Sequence, residues 1–284
     1  MPLLPSIRLL ILKSTAVASC LILTTAIVAL LTCSGRAAVA GELLPHQASY
    51  RMSLATASQA SALVGAQGVM LYRAVRDCDG WTVENTTYMR LSYQNEADVD
   101  TKWTFASWES VDGRDFRFHA RLIEDGALVE RLEGHAKLNG DGSGGTAVLT
   151  HPEEVAIPLP PGTLFPTHHM RALIAAAEAG EQTFARLLFD GASAANPYLV
   201  NAVIQPVPEA EQRSAALALN LPPVPMWMID LGFFPERSRE PTPEFELGAR
   251  HRADGIADQI TQQFDDFTLK VDLETLTVLP KPAC

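Results

Sequence analysis

The sequence predicts an all-β protein, a mainly antiparallel sheet wrapped on itself, from three observations. Apolar and polar residues alternate with period two through most of the chain beyond residue 45. Turn signals recur between these stretches at Asp79-Gly80, Asp112-Gly113, Asp125-Gly126, Asn139-Gly140-Asp141-Gly142, Asp190-Gly191 and Asp254-Gly255. They supply the positive φ that tight hairpins need. No G-x-G-x-x-G or phosphate-binding loop opens a βαβ unit, so a dinucleotide-binding fold has no support. Many short strands at regular spacing describe a rolled sheet.

In chain order, the first element stands outside that sheet. Arg8 and Lys13 precede an apolar run from Ala16 to about Cys33, and Ala38-Val39-Ala40 ends at Gly41. A basic start, an apolar middle and a small-residue end make a secretory signal peptide over residues 1–40. Two alternatives stay open. The run is long enough for an uncleaved anchor, although an anchor rarely carries an A-x-A site. Leu30-Leu31-Thr32 precedes Cys33, which suggests lipidation, although Thr32 is large for that position. Cleavage near Ala40 leaves one domain, residues 41–284. Residues 1–40 carry three of the 22 basic and none of the 33 acidic side chains, so the remainder holds 19 against 33, a balance of −14. Nucleic acid rewards clustered Lys and Arg, so that partner is excluded. Loose docking on anionic lipid is disfavoured by the same balance.

Export means an oxidising compartment, which changes how cysteines are read. Beyond the signal only Cys78 and Cys284 remain, and a single intramolecular disulfide is the expectation. Two free thiols or an intermolecular bridge are the alternatives.

Strands are expected over Ala48–Leu54, Gly68–Val75, Trp81–Tyr93, Lys102–Glu109, Phe116–Leu122, Ala127–Leu138, Thr146–Ile157, Tyr198–Val203, Met226–Phe233, Phe245–His251 and Phe267–Leu273. Phe116, Phe118, Ala120 and Leu122 show the alternation, which puts apolar side chains on one face. One short helix is expected over Thr167–Ala179, with Thr167 as its cap, Met170, Leu173, Ile174 and Ala177 on one face, and Gly180 as its left-handed stop. The alanine-rich segment from Pro206 to Asn220 fits a short helix or a loop. The proline-rich segments 222–225 and 235–243 read as extended loops.

Candidate chemistry is sparse. Asn139 to Gly145 reads N-G-D-G-S-G-G, but flexible glycines suit a hairpin tip, and a nucleophile must be held rigidly beside a base. His168 and His169 are adjacent, whereas paired metal ligands on one helix sit four apart. The remaining histidines lack ligand spacing, so no metal is expected. One of the pair is read as a buried hydrogen-bonding histidine that fixes a loop onto the sheet, with ligand contact by His169 as the other reading. Glu109 and Asp112 could form a carboxylate pair, but a charged hairpin end explains them as well. Trp81, Trp103, Trp108 and Trp227 lie in expected strands, where Trp81 and Trp108 serve packing or ligand contact. A sheet rolled around such residues can enclose an apolar cavity.

Several stretches, in order, resemble the EipB family of alphaproteobacterial periplasmic proteins. They are Leu44-Pro45-His46, Cys78-Asp79-Gly80-Trp81, Trp108-Glu109-Ser110 with Asp112-Gly113, Leu159-Pro160, Gly162 to Thr167 with His169, Phe189-Asp190-Gly191 and the terminal Cys284. The resemblance covers essentially the whole mature chain, apart from Pro206 to Pro225. It implies a β-spiral, an incomplete barrel with one short helix, and a disulfide matching Cys78 and Cys284. It implies a non-enzymatic, cofactor-free periplasmic role in envelope integrity under stress. The expected partners are envelope proteins or lipid, reached through sheet edges, loops or a concave face. A carrier holding a lipid or peptidoglycan fragment inside the barrel is the alternative. Oligomeric state is left open.

Overall fold

The computed structural model describes residues 42–59, 61–193 and 196–284. The segment read as a signal peptide lies outside them. The first run of strands is β1 (His46–Ala57), β2 (Leu63–Arg76), β3 (Gly80–Tyr93), β4 (Val99–Ser110), β5 (Asp115–Glu124), β6 (Ala127–Leu138), β7 (Gly145–His151) and β8 (Val155–Leu159). Helix α1 (Pro166–Glu178) follows, then β9 (Thr183–Leu188), β10 (Tyr198–Pro206), helix α2 (Glu209–Leu219), β11 (Met226–Pro235), β12 (Phe245–Arg252), β13 (Ala257–Gln263) and β14 (Phe267–Val278).

All fourteen strands join one sheet in the order β8-β7-β6-β5-β4-β3-β2-β1-β14-β13-β12-β11-β10-β9. The first meander grows outward from β1. Helix α1 carries the chain to the opposite edge, and the second meander winds back until β14 pairs antiparallel with β1, from His46 opposite Val278 to Ala57 opposite Phe267. Both ends of the described chain therefore lie at the middle of the sheet.

The sheet is open, a spiral and not a closed barrel. Its edge strands β8 and β9 do not pair with each other. Instead the segment after β8 reaches β9, where Leu164 N donates to Leu187 O (2.8 Å) and Phe189 N donates to Leu164 O (3.0 Å). Four buried aromatics close this overlap. Phe116 stacks on Phe165 at 5.0 Å, and Phe118 meets Phe189 edge-on at 5.6 Å. Both arrangements suit the ring quadrupole. Gly191 (φ +68°) lies against the same cluster, and a Cβ there would sit 2.3 Å from the Phe118 ring. No larger residue fits without moving that seam.

Inward positions follow the pleat. Ala48, Tyr50 and Met52 of β1 pack with Leu269 and Val271 of β14. In the second meander Val200, Ala202 and Ile204 pack with Ile229 and Leu231, and α1 lays Leu173, Ile174 and Ala177 on them. The helix ends at Gly180 (φ +82°), where Gly180 N and Glu181 N bond to Ala177 O and Ala176 O. That glycine stop is the one the sequence predicts.

Four expectations change in detail. The strand drawn over Thr146–Ile157 is two strands, because the chain turns back between His151 and Val155 and β8 pairs antiparallel with β7. Strands β9 and β13 were not foreseen. β13 reads ADQITQQ, too polar to announce itself, and is held by ladders on both sides. The Pro206–Asn220 segment contains a second helix, α2, stopped by Asn220 in the left-handed conformation (φ 53°). The capping of α1 also differs and is described with the site.

Cys78, between β2 and β3, is bonded to Cys284, with Cα atoms 5.6 Å apart at a sequence separation of 206. The bridge ties the C-terminal segment beyond β14 to the β2–β3 turn. In the chain-entropy picture so long a loop restricts the unfolded state strongly. Replacing Cys284 with Ser should lower unfolding free energy by about 2–4 kcal/mol, seen as a lower urea midpoint under non-reducing conditions. An unchanged midpoint would show that the bridge does not hold the fold together.

Candidate functional site

The site begins with how α1 is held. Phe165 occupies the capping position with extended backbone (φ −91°, ψ 165°) and gives no side-chain cap, while Pro166 opens the helix. Proline suits that first turn because its missing N–H would have no helical partner. The expected cap, Thr167, does not serve. Glu109, near the end of β4, accepts hydrogen bonds from Thr167 N (2.6 Å) and His168 N (3.0 Å), and its Oε1 lies 2.5 Å from His168 Nδ1. Its side chain is 2% exposed. A carboxylate is favourable against the positive end of a helix, and here it also satisfies two orphan amides. Gly113 (φ +67°) lies under the His168 ring, where a Cβ would be 2.6 Å from Nδ1. The Trp108–Gly113 and Gly162–His169 stretches, far apart in sequence, thus form one locus.

This geometry separates Glu109 from Asp112. Asp112 stays on the solvent-facing turn, held by the Ser110 hydroxyl and the Arg114 guanidinium, which lower its carboxyl to about 2. Glu109 turns under the helix. The two do not face each other across a cleft, as a glycosidase requires. The loop from Asn139 is a hairpin tip in which Ser143 bonds only locally, to Asn139 and Asp141.

Beside this anchor the rolled sheet forms a half-open cavity of about 400 Å³. Alternate residues of β1–β4 face it, including His46, Tyr50, Tyr72, Trp81, Asn85, Trp103 and Phe105, and α1 contributes His169 and Met170. From the second meander come Leu231, Phe233, Leu247, Ala249 and His251. The lining is mostly apolar, and its volume falls at the lower end of ordinary ligand pockets. Trp81 sits opposite Glu109 in the β3–β4 ladder, so the helix anchor lies beside one end of the cavity.

Burial pushes several titratable groups of this cavity toward their uncharged forms. His169 is lowered to about 4 by burial, helped by the Arg186 charge, and His251 is lowered to about 4 by burial against the opposing pull of Asp258. His46 is lowered by burial, partly offset by its bond to Leu44 O and by Asp254. Tyr72 is raised to about 12 by burial. Asp190 is raised by burial, although Ala192 N and the Asn196 amide donate to it. Among the described residues two buried ring nitrogens, His169 Nε2 and His251 Nδ1, have no hydrogen-bond partner.

Of the residues singled out in the sequence, Trp81 and His169 line the cavity, and Trp108 does not. Trp108 packs on the other face of β4, with the Arg117 guanidinium 5.1 Å from its ring and Gly80 close beneath it. The adjacent histidines differ in setting. His168, half-buried, bonds to Glu109, and His169 is buried at the cavity wall, edge-on to Phe184 at 5.3 Å. His251 and the capping role of Glu109 were missed. The available signal for His251 was a polar residue at the inward parity of Leu247 and Ala249. Among the described residues no set of three or more His, Cys, Asp or Glu gathers as a metal site. Among them, too, no helix is long and apolar enough to cross a membrane.

The model of the family described as EipB-like matches residues 37–280. The chain is 29% identical over 249 residues to the cell envelope integrity protein EipB of Brucella abortus (strain 2308), a match covering 85% of this chain and 86% of that protein. A crystal structure from Brucella abortus, described as a β-barrel-like protein of a domain of unknown function, superposes with a TM-score of 0.76 at 27% identity. It covers 85% of this chain and 100% of the other.

Two predictions come from this geometry. Glu109→Ala should cost about 2–4 kcal/mol, because it strips the helix amides and the imidazole together. In a double-mutant cycle with His168→Ala, measured by urea unfolding, the two losses should fall short of additive. Additive losses would mean that the contact carries no coupling. The second concerns acid. His169 and His251 bind protons near pH 4 in the fold but near 6.5 when unfolded. Their contribution is complete above pH 6.5 and is lost as pH falls toward 4, at about 1.4 kcal/mol per pH unit for each group. The melting temperature should therefore drop across that window, and drop less in a His169→Leu/His251→Leu variant. Parallel curves would sink the assignment.

Proposed function

The chain belongs to the EipB-like family, and from that premise we propose that it supports cell envelope integrity from the periplasm by non-covalent contact. The observation that carries this is the match across 85% of the chain to a protein named for envelope integrity. Residues 1–40 would direct export and be removed near Ala40. An oxidising compartment suits a bridge whose cysteines, Cys78 and Cys284, are both exposed. The contacts would be made to envelope protein or lipid through loops, sheet edges or the concave face, with Trp81, Trp108 and His169 serving as structural or ligand contacts.

A second reading is favoured by one feature, the apolar cavity between the two meanders. In that reading the protein is a carrier, and the spiral encloses an envelope lipid or fragment instead of presenting a surface.

Deleting the gene should sensitise cells to detergent and to cell-wall antibiotics, and the wild-type gene should restore growth. No sensitivity would overturn the envelope role. Ala249, 1% exposed on the cavity wall, separates the two readings. If Ala249→Phe folds with a wild-type melting profile yet fails to restore growth, the cavity is what the cell needs. Full restoration would favour the external surface.

A further inference from the structure

The outer face of the second meander carries a groove of about 710 Å³, distinct from the cavity inside the roll. Its lining extends from β9 to β13, five strands that together span roughly 19 Å at a spacing of about 4.8 Å. Asn201 stands opposite Gly232 and Gly232 opposite Glu246, while Asp230 stands opposite Gly248 and Gly248 opposite Thr261. The two glycines are diagonal neighbours, and different groups converge on each. The Phe234 ring and Pro243 lie 3.1 and 3.6 Å from where a Cβ of Gly232 would stand. Asp230 Oδ1 and Thr261 Oγ1 lie 2.8 and 3.1 Å from the same point on Gly248. An apolar pair thus sits one diagonal step from a carboxylate and a hydroxyl.

Asn201, Asp230 and Thr261 are exposed, and their side chains have no hydrogen-bond or ion-pair partner among the described residues. The lining contains no Lys or Arg. Arg250, two residues beyond Gly248 on the same face of β12, is held by Asp258 at 2.8 and 2.6 Å. An anionic ligand would therefore meet Asp230 and Glu246 without a counter-charge. A cationic one is matched little better. Glu246 already accepts from Gln263 Nε2 at 2.5 Å, which leaves one free carboxylate, and the donors of Asn201 and Thr261 are of no use to a cation. A sugar uses every group present. Its hydroxyls both donate and accept, as an amide, a hydroxyl and a carboxylate side by side require, and its C–H face suits the negative face of an aromatic ring.

We propose that this groove binds an uncharged polysaccharide chain. One sugar ring packs on Phe234 and Pro243, and hydroxyls of that ring and the next hydrogen-bond to Asn201, Asp230 and Thr261. The site adds glycan to protein and lipid as a kind of envelope contact, and it stands whether or not the inner cavity takes a ligand.

Amide NMR of the isotope-labelled mature protein, with its disulfide formed, tests this. The probes are neutral tetramers of N-acetylglucosamine and of glucose, an acidic tetramer of galacturonic acid, and a tetralysine peptide. At least one neutral tetramer should shift the amides of Gly232, Gly248 and Thr261 saturably, and the better of the two names the sugar. It should bind at least about tenfold tighter than the acidic tetramer. Its affinity should change less than about twofold between about 0.01 and 0.15 M ionic strength, a range over which charge pairs weaken. Gly248→Val fills the space between Asp230 and Thr261. It should weaken binding about tenfold or more at an unchanged melting temperature, because valine suits a strand and the atoms it displaces are side-chain ends. Thr261→Val should weaken binding about 3- to 10-fold, the worth of one hydrogen bond. No saturable shift at these amides with either neutral tetramer would overturn the proposal, as would acidic sugar bound as tightly or variants that bind as wild type does. Tighter, salt-sensitive binding of tetralysine at the same amides would overturn it too, and make the groove a site for a cationic chain. Should Gly248→Val not fold, Thr261→Val alone decides the matter.

Discussion

Neighbouring strands in a twisted sheet rotate by about 20–25° relative to one another, and open sheets rarely pass about ten strands without curling. A sheet of fourteen antiparallel strands must therefore roll, and rolling turns one face into an interior that has to be filled. Side chains fill most of it. The β1–β14 seam packs Tyr50, Met52 and Val271, and the overlap packs Phe116, Phe165 and Phe189. Between these clusters the walls stand apart, and the space that remains is the cavity. Because the sheet is a spiral, it has two edges to protect. The segment beyond β8 reaches over to β9 at Leu164, and Pro158 removes a donor from β8 itself.

Helix α1 makes that rolled state self-consistent. It lies on the chain segment that connects the outward and returning meanders, and its apolar face belongs to the second meander through Leu173 and Ile174. Its N-terminus belongs to the first, through Glu109 on β4. The carboxylate therefore joins two halves of the fold that the β1–β14 seam joins elsewhere. It also explains Gly113, since the imidazole that completes the contact leaves no room for a Cβ. The exposed disulfide acts at a different place, on the chain end that the second meander delivers beside β2 and β3. Three separate devices thus hold one roll, namely a ladder, a capped helix and a covalent bridge.

Most of the sheet was legible because half-buried strands write their parity into the sequence. The run from Phe116 to Leu122 shows it, and β5 spans Asp115–Glu124. The spiral itself, as against a closed barrel, came from resemblance, because periodicity carries no information about which edges pair. Strand β13 was invisible for a physical reason. It is sandwiched between β12 and β14 and needs few apolar residues of its own. The split at Pro152 was missed because alternation continues on both sides of a tight reversal. The cap of α1 was assigned to Thr167 on local grounds, and a capping group 58 residues away from the amide it serves leaves no local trace. For the cavity, aromatic content suggested that one could exist, but only the superposition of inward faces from both meanders put Trp81, His169 and His251 around the same space.

The polar groups lining that space have moved in one direction. Burial lowers the histidines and raises Tyr72 and Asp190, so each is driven toward its uncharged form. Sites that stabilise developing charge need fixed dipoles or ions aimed at it. Here the most deeply buried carboxylate near the cavity, Glu109, is already committed to two helix amides and an imidazole. A space lined by both meanders keeps its shape only while the roll persists, and the ladder, the cap and the bridge jointly hold that roll.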